Sequence, residues 1–160
     1  MLREKGLLVE AGSFKIACPP MVLTINGLGS CVAVALYDVK KNLGGMIHFI
    51  LPENPGDKKK EKYADSGIPL LLNKLIEAKG EKENIVAKMV GGAVMFPKFI
   101  EDAENSIGKR NVRKAREILE NLGIKIVGED TGGDYGRSVS FELRSGKVFI
   151  SSYKNGDKVI

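Results

Sequence analysis

The chain has 160 residues, 43% apolar and 28% charged, and its 25 basic against 20 acidic side chains leave a net charge of +5. That is one ordinary domain, expected to span residues 1–160, with enough chain to remove roughly two-thirds of its unfolded surface from water; a disordered polymer is excluded. No apolar run approaches the ~20 residues of a membrane span, the opening stretch MLREKGLLVEAG has no small-residue cleavage site, and so mild and mixed a charge argues against nucleic acid, so a cytoplasmic protein with free thiols is expected.

Strand signals fill the first third. Residues 6–10 are a short apolar run, and residues 14–18 alternate until Pro19-Pro20, which cannot continue a central strand. Residues 21–25 are apolar and β-branched. Gly27-Leu28-Gly29-Ser30 reads as a loop, followed by a strand over 31–37 (CVAVALY), a polar turn over 38–42 and a second strand over 45–51 (GMIHFIL) stopped by Pro52. Residues 52–62, with Lys58-Lys59-Lys60 followed at once by Glu61, form a solvated loop.

Ala64, Ile68, Leu71, Leu75 and Ala78 recur at helical spacing, with Asp65 as N-cap and Gly80 as the stop; Pro69 pulls the start toward Asp65 or later. A strand over 85–90 leads into Gly91-Gly92-Ala93, and residues 97–109 form a second loop. Val112, Ala115, Leu119 and Leu122 mark a second helix between Asn111 and Gly123. Strands over 124–127, 138–143 and 148–153 close the chain, the last two joined by a hairpin at Arg144-Ser145-Gly146-Lys147. Eight or so strands with two main helices give an α+β fold whose sheets are mixed, with parallel contacts where a helix separates two strands.

One constellation carries chemistry. With the pairing centre of the turn between Val39 and Lys40, Cys31 lies directly across from His48, Cβ atoms roughly 4.5–5.5 Å apart on one face. Val32, Val34, Leu36, Ile47, Phe49 and Leu51 then share a bulky core face, and Cys31, Ala33, Ala35, Met46 and His48 the other. A thiol beside an imidazole is a nucleophile in waiting, and the glycines before it allow Gly29 and Ser30 to turn backbone N–H groups toward a developing oxyanion. On residues alone the bland reading also stands: a lone cysteine on an apolar strand is commonly a small buried hydrophobe, and a lone histidine a satisfied core residue.

The remaining motifs carry less. Cys18, before two prolines, reads as structural. Two cysteines and one histidine cannot supply a four-ligand zinc site of cysteine or of paired cysteine and histidine. Gly91-Gly92-Ala93 lacks the Gly-Lys-Ser/Thr of a P-loop, and Asp130-Thr131-Gly132-Gly133-Asp134 is a polar turn with too few carboxylates for a cation site.

Taken together, Gly27-Leu28-Gly29-Ser30-Cys31-Val32, Leu36-Tyr37-Asp38, Gly45-Met46-Ile47-His48-Phe49, Lys62-Tyr63-Ala64-Asp65, Gly91-Gly92-Ala93 with Met95-Phe96, Arg110-Asn111-Val112, Glu129-Asp130-Thr131-Gly132-Gly133 and Gly136-Arg137-Ser138-Val139 resemble the CheD family, the chemoreceptor glutamine deamidases of chemotaxis. The resemblance runs through nearly the whole chain in order. It implies packed mixed β-sheets, sandwich-like, with the helices outside, as in the deamidating bacterial toxins. It implies a protein-glutamine glutaminase with a Cys-His-Thr triad and no cofactor or metal. The nucleophile maps on Cys31 and the base on His48. The threonine maps two residues before the first glycine, where this chain reads Thr24-Ile25-Asn26-Gly27, as though Asn26 were inserted; Thr24 regains its place through a one-residue bulge, with Asn26 or a backbone carbonyl as alternative partners of His48. The implied substrates are methyl-accepting chemotaxis receptors and the implied partner a CheC-type phosphatase. A receptor methylesterase-type hydrolase and a non-catalytic adaptor docking on receptors or on CheC are the competing readings.

Overall fold

The computed structural model describes residues 6–160; residues 1–5, where the stretch read for a leader begins, lie outside the described residues. The elements run β1 (Gly6–Leu8), β2 (Ser13–Ala17), β3 (Val22–Leu28), β4 (Val32–Asp38), β5 (Leu43–Phe49), α1 (Ala64–Glu77), β6 (Ile85–Gly91), α2 (Ile107–Asn121), β7 (Lys125–Thr131), β8 (Arg137–Glu142), β9 (Val148–Ser152) and β10 (Gly156–Val159). They build two five-stranded sheets, an outer one in the order β1-β3-β8-β9-β10 and a central one in the order β2-β5-β4-β6-β7. Both are mixed: β1–β3 and β6–β7 pair parallel, the latter across α2, and the other pairs are antiparallel. The α+β expectation holds.

Side-chain alternation along β4 and β5 makes the layers. Val32, Val34, Leu36, Ile47 and Phe49 face the helices, where they meet Ile68, Leu71, Leu75, Ala115 and Leu119. Ala33, Ala35, Tyr37 and Met46 face the outer sheet and meet Leu23, Ile25, Phe141 and Ile150. Each fully buried Leu or Ile contributes about 1.5–3 kcal/mol, so these two seams hold the three layers together. Leu51, expected on the helix-facing side, lies past the end of β5 and is exposed. Cys18 is exposed as well, so it does not serve as a packed core residue.

Both helices begin earlier than their sequence signals suggest. Tyr63, not Asp65, precedes α1, and the first helical N–H groups go to backbone carbonyls: Ala64 to Leu51 at 3.0 Å and Asp65 to Pro52 at 3.2 Å. Pro69 sits sixth in the helix, where the N–H it lacks would have served the Asp65 carbonyl. α2 starts at Ile107, with Ser106 before it, so Asn111, expected just ahead of the helix, lies inside it, fully buried. Gly108 in its first turn disguises the start, because glycine is a poor helix former. β10 carries no apolar face and left no sequence signal.

Candidate active site

The β4–β5 hairpin sets the geometry. Val32 pairs with Phe49 and Ala33 with His48, and the last pair is Asp38 with Leu43, so residues 39–42 form a four-residue loop. The expected pairing centre between Val39 and Lys40 is therefore corrected to one between Lys40 and Lys41. Its cause is Asp38, whose buried carboxylate accepts from the N–H groups of Lys40 and Lys41 at 3.0 Å each, while Asn42 takes a left-handed φ of 55°. Burial would raise the Asp38 carboxyl, but N–H groups of Glu81, Lys41 and Lys40 outweigh it and hold the group below its ordinary value. The register moves by two residues, an even step, so every side chain keeps its face. Cys31 and His48 stay on the inter-sheet side, but as diagonal neighbours roughly 7 Å apart rather than opposed.

His48 is fixed on several sides. It lies between Ala33 on β4 and Ser13 on β2, its carbonyl accepts the Gly12 N–H at 2.7 Å, and its Nδ1 lies 3.3 Å from the Val9 carbonyl. A carbonyl can only accept, so Nδ1 carries the hydrogen and Nε2 keeps its lone pair. Burial pushes the imidazole below its ordinary value, and the Val9 carbonyl offsets part of the fall. Burial likewise raises the half-buried Cys31 thiol, and its own backbone N–H pulls partly the other way. Among the described residues no hydrogen bond joins thiol and imidazole. The resting pair is thus neutral, suited to general-base activation as a substrate arrives rather than to a standing thiolate–imidazolium pair.

The anticipated bulge is present. Along β3 the pairing with β8 passes from Ile25↔Val139 to Leu28↔Arg137, three steps against two, and Gly27 takes φ 74° within it. Leu23 and Ile25 point into the inter-sheet core, which turns Thr24 to the opposite face, where its hydroxyl donates to the Leu7 carbonyl over 3.4 Å. The Thr24 carbonyl accepts the Val9 N–H at 2.8 Å, so Thr24 connects to His48 through the Val9 peptide. Val9 left no mark in the sequence, since it contributes only a main-chain oxygen.

Three consecutive carbonyls around the thiol are held from outside the turn. Ala93 N–H donates to Gly29 at 3.0 Å, the Asn111 side-chain amide to Ser30 at 3.0 Å, and Gly92 N–H to Cys31 at 2.9 Å. Among the described residues the N–H groups of Ser30 and Cys31 have no carbonyl partner. Close approach of the segments depends on glycine: a Cβ at Gly92 would strike the Val112 side chain, and one at Gly108 would strike the Ala93 carbonyl and come within 2.7 Å of that of Gly92. Behind them, Gly132 N–H donates to Gly91 at 3.0 Å and Val94 N–H to Gly133 at 2.9 Å. That second loop is pinned by Arg137, whose buried guanidinium reaches Asp130 at 3.0 Å, the Gly132 carbonyl at 2.9 Å and the Tyr135 hydroxyl at 3.1 Å. Asp130 also takes Lys158 at 3.0 Å, and Asp134 takes Lys154, so both carboxylates of the polar turn are spent on ion pairs. Beside Ser30 a cavity of about 440 Å³ opens, walled by Met95, Ile100, Asp102, Ser106 and Gly108.

Such an arrangement defines a class: layered α+β proteins with a half-buried thiol and a neutral imidazole on the inter-sheet face at one rim. Residues 50–152 match the family described as CheD chemotactic sensory transduction, and the chain belongs to that family. It is 40% identical over 157 residues to the probable chemoreceptor glutamine deamidase CheD 1 of Methanosarcina acetivorans, covering 96% of each chain. To the probable chemoreceptor glutamine deamidase CheD of Caldanaerobacter subterraneus subsp. tengcongensis it is 36% identical, over 99% of this chain and 100% of that one. To the chemoreceptor glutamine deamidase CheD of Halalkalibacterium halodurans it is 38% identical, over 95% of this chain and 96% of the other.

Proposed function

We propose that this chain is a chemoreceptor glutamine deamidase, converting chosen glutamine side chains of methyl-accepting chemotaxis receptors to glutamate through a thioester on Cys31. The observation that supports the reading is the meeting of Cys31, a neutral His48 and two N–H groups without a carbonyl partner at one rim of a CheD-family fold. His48 Nε2 takes the thiol proton as sulfur attacks the amide carbon. The oxyanion forms against the N–H groups of Ser30 and Cys31, where one such donor is worth roughly 3–4 kcal/mol. The C–N bond then breaks, and ammonia leaves with the proton from His48. Water, deprotonated by His48, adds to the thioester; the C–S bond breaks, glutamate is released and the thiol recovers its proton. Gly29 gives the turn its shape. Thr24 acts as a positioning residue, holding β1 so that the Val9 carbonyl keeps Nδ1 protonated. The reaction calls for no cofactor or metal.

The setting that goes with this role is the cytoplasm, where the receptors present their helical bundle, and the regulatory partner is a CheC-type phosphatase. No helix among the described residues is long and apolar enough to cross a membrane. The test incubates a purified receptor cytoplasmic fragment with wild type and with Cys31→Ala, measuring ammonia and peptide mass. A gain of about one mass unit per modified glutamine, lost with Cys31→Ala, is the expected result for this thioester route. Methanol release in place of ammonia would transfer the protein to the esterases. Binding without any mass change would make it an adaptor.

A further inference from the structure

We infer that Asn111 is a positioning residue for acyl transfer at Cys31: by holding the Ser30 carbonyl it aims the Cys31 N–H at the oxyanion. The inference rests on the deamidase reading only for the identity of the acyl group. Its basis is covalent geometry. In a planar trans peptide the carbonyl of one residue and the N–H of the next point in opposite directions. Asn111 Nδ2 donates to the Ser30 carbonyl at 3.0 Å, so the Cys31 N–H, on the same peptide plane, is turned the other way. The Ala93 N–H does the same for the plane before it, holding the Gly29 carbonyl at 3.0 Å and turning the Ser30 N–H outward. Two adjacent N–H groups are thereby presented beside the thiol.

The second hydrogen of the same amide reaches the Ile50 carbonyl at 2.9 Å, two residues beyond His48. One side chain on α2 therefore ties the segment carrying the nucleophile to the strand end carrying the base. The amide cannot be turned over, because its oxygen would then face two carbonyl oxygens. Asn111 is fully buried, and its Oδ1 has no partner. A side chain selected only to fill the helix–sheet seam would be apolar there, as Ala115 and Leu119 are on the same helix. An orphaned oxygen is tolerated at this point because the two donors are needed.

The experiment compares two reactions of Cys31 in a Cys18→Ser background, since Cys18 is exposed and would also react. Iodoacetamide forms an S–C bond as iodide leaves, with no oxyanion. p-Nitrophenyl acetate is attacked at its carbonyl, passes through a tetrahedral oxyanion and expels p-nitrophenolate. For Asn111→Ala and for the isosteric Asn111→Asp, acylation is expected to fall about 100-fold, the scale of a lost oxyanion donor, while alkylation across the pH range stays near wild type. Leu119→Ala, a destabilised control on the same helix, should keep the wild-type ratio. Equal losses in both reactions, or no loss in either, overturn the inference. In the wild type, both Asn111 side-chain hydrogens should be protected from solvent exchange by NMR; exchange as fast as at a surface asparagine also overturns it, even if the variants fail to fold. A wild type that is acylated yet leaves receptor fragments unchanged would remove the deamidase reading and leave the role of Asn111 standing.

Discussion

Replacing Arg137 with leucine should cost stability in a pH-dependent way. The guanidinium is fully buried and makes three hydrogen bonds, to Asp130, the Gly132 carbonyl and the Tyr135 hydroxyl, and it stacks 4.3 Å from the Tyr135 ring. Removing one partner of a buried ion pair costs about 3–5 kcal/mol when the other charge is stranded. Asp130 is not wholly stranded, because Lys158 remains at 3.0 Å, so the low end applies, about 3 kcal/mol. For a domain of this size that lowers Tm by about 6–12 °C. Burial raises the Asp130 carboxyl, but bonds from Lys158 and Arg137 outweigh it, so its folded value lies below the unfolded one. Stability from this group is therefore present above an ordinary carboxyl value and lost as pH falls through the folded value. The variant lacks the share owed to Arg137, so the gap between the two proteins should be wide at pH 7 and narrow below about pH 4. Urea unfolding followed by circular dichroism at pH 7 and pH 3 measures both gaps. Equal stabilities at pH 7, or a gap that widens on acidification, would refute the reasoning.

Other outcomes follow from the same geometry. Gly92→Ala puts a Cβ into Val112 at a φ of 71° and displaces the N–H that holds the Cys31 carbonyl, so both stability, by about 2 kcal/mol or more, and deamidation should fall; unchanged melting and turnover would contradict the packing described. Leu119→Ala, fully buried under the central sheet, should cost about 2–5 kcal/mol in denaturant while turnover well below the melting point is kept. Because burial raises the Cys31 thiol, alkylation by iodoacetamide should rise with pH to a midpoint above an ordinary cysteine, and a midpoint near neutrality would point instead to a standing ion pair. Thr24→Ala removes only a long hydroxyl bond to Leu7, so turnover should drop less than about tenfold, whereas a loss of about 100-fold or more, the upper part of the range for an acid–base group, would mean that Thr24 contacts His48 directly during catalysis.

The faces of the hairpin were legible in the sequence, because alternation of bulky and small residues is written into 31–37 and 45–51. The register was not, since it depends on a side chain: Asp38 folds its carboxylate back onto Lys40 and Lys41 and moves the centre of the turn by one residue. Parity survived the error, which is why the thiol and imidazole still share a face. The helices were legible from their apolar stripes, their starts less so, because backbone carbonyls of Leu51 and Pro52 satisfy α1 and a glycine lies in the first turn of α2. Of the site itself, Cys31, His48 and the bulge near Asn26 were in reach. Val9 was not, because a main-chain oxygen has no sequence signature. Asn111 read only as the residue before the second helix, and its burial beneath Ser30 and Ile50 gives it another role. Arg137 sat inside a recognised string without any indication that it would be buried.

The stretch between Val94 and Gly108 leaves and rejoins the fold at two welded points. Val94 is bonded to Gly133 at 2.9 Å, and Gly108 lies flush against the Gly92–Ala93 main chain with no room for a side chain. What lies between those points carries the exposed Phe96 and Phe99 and, through Met95, Ile100, Asp102 and Ser106, walls the cavity beside Ser30. The segment is a strap held at both ends, so a substitution within it changes the shape of the cavity next to Ser30 while the two welded points keep their place.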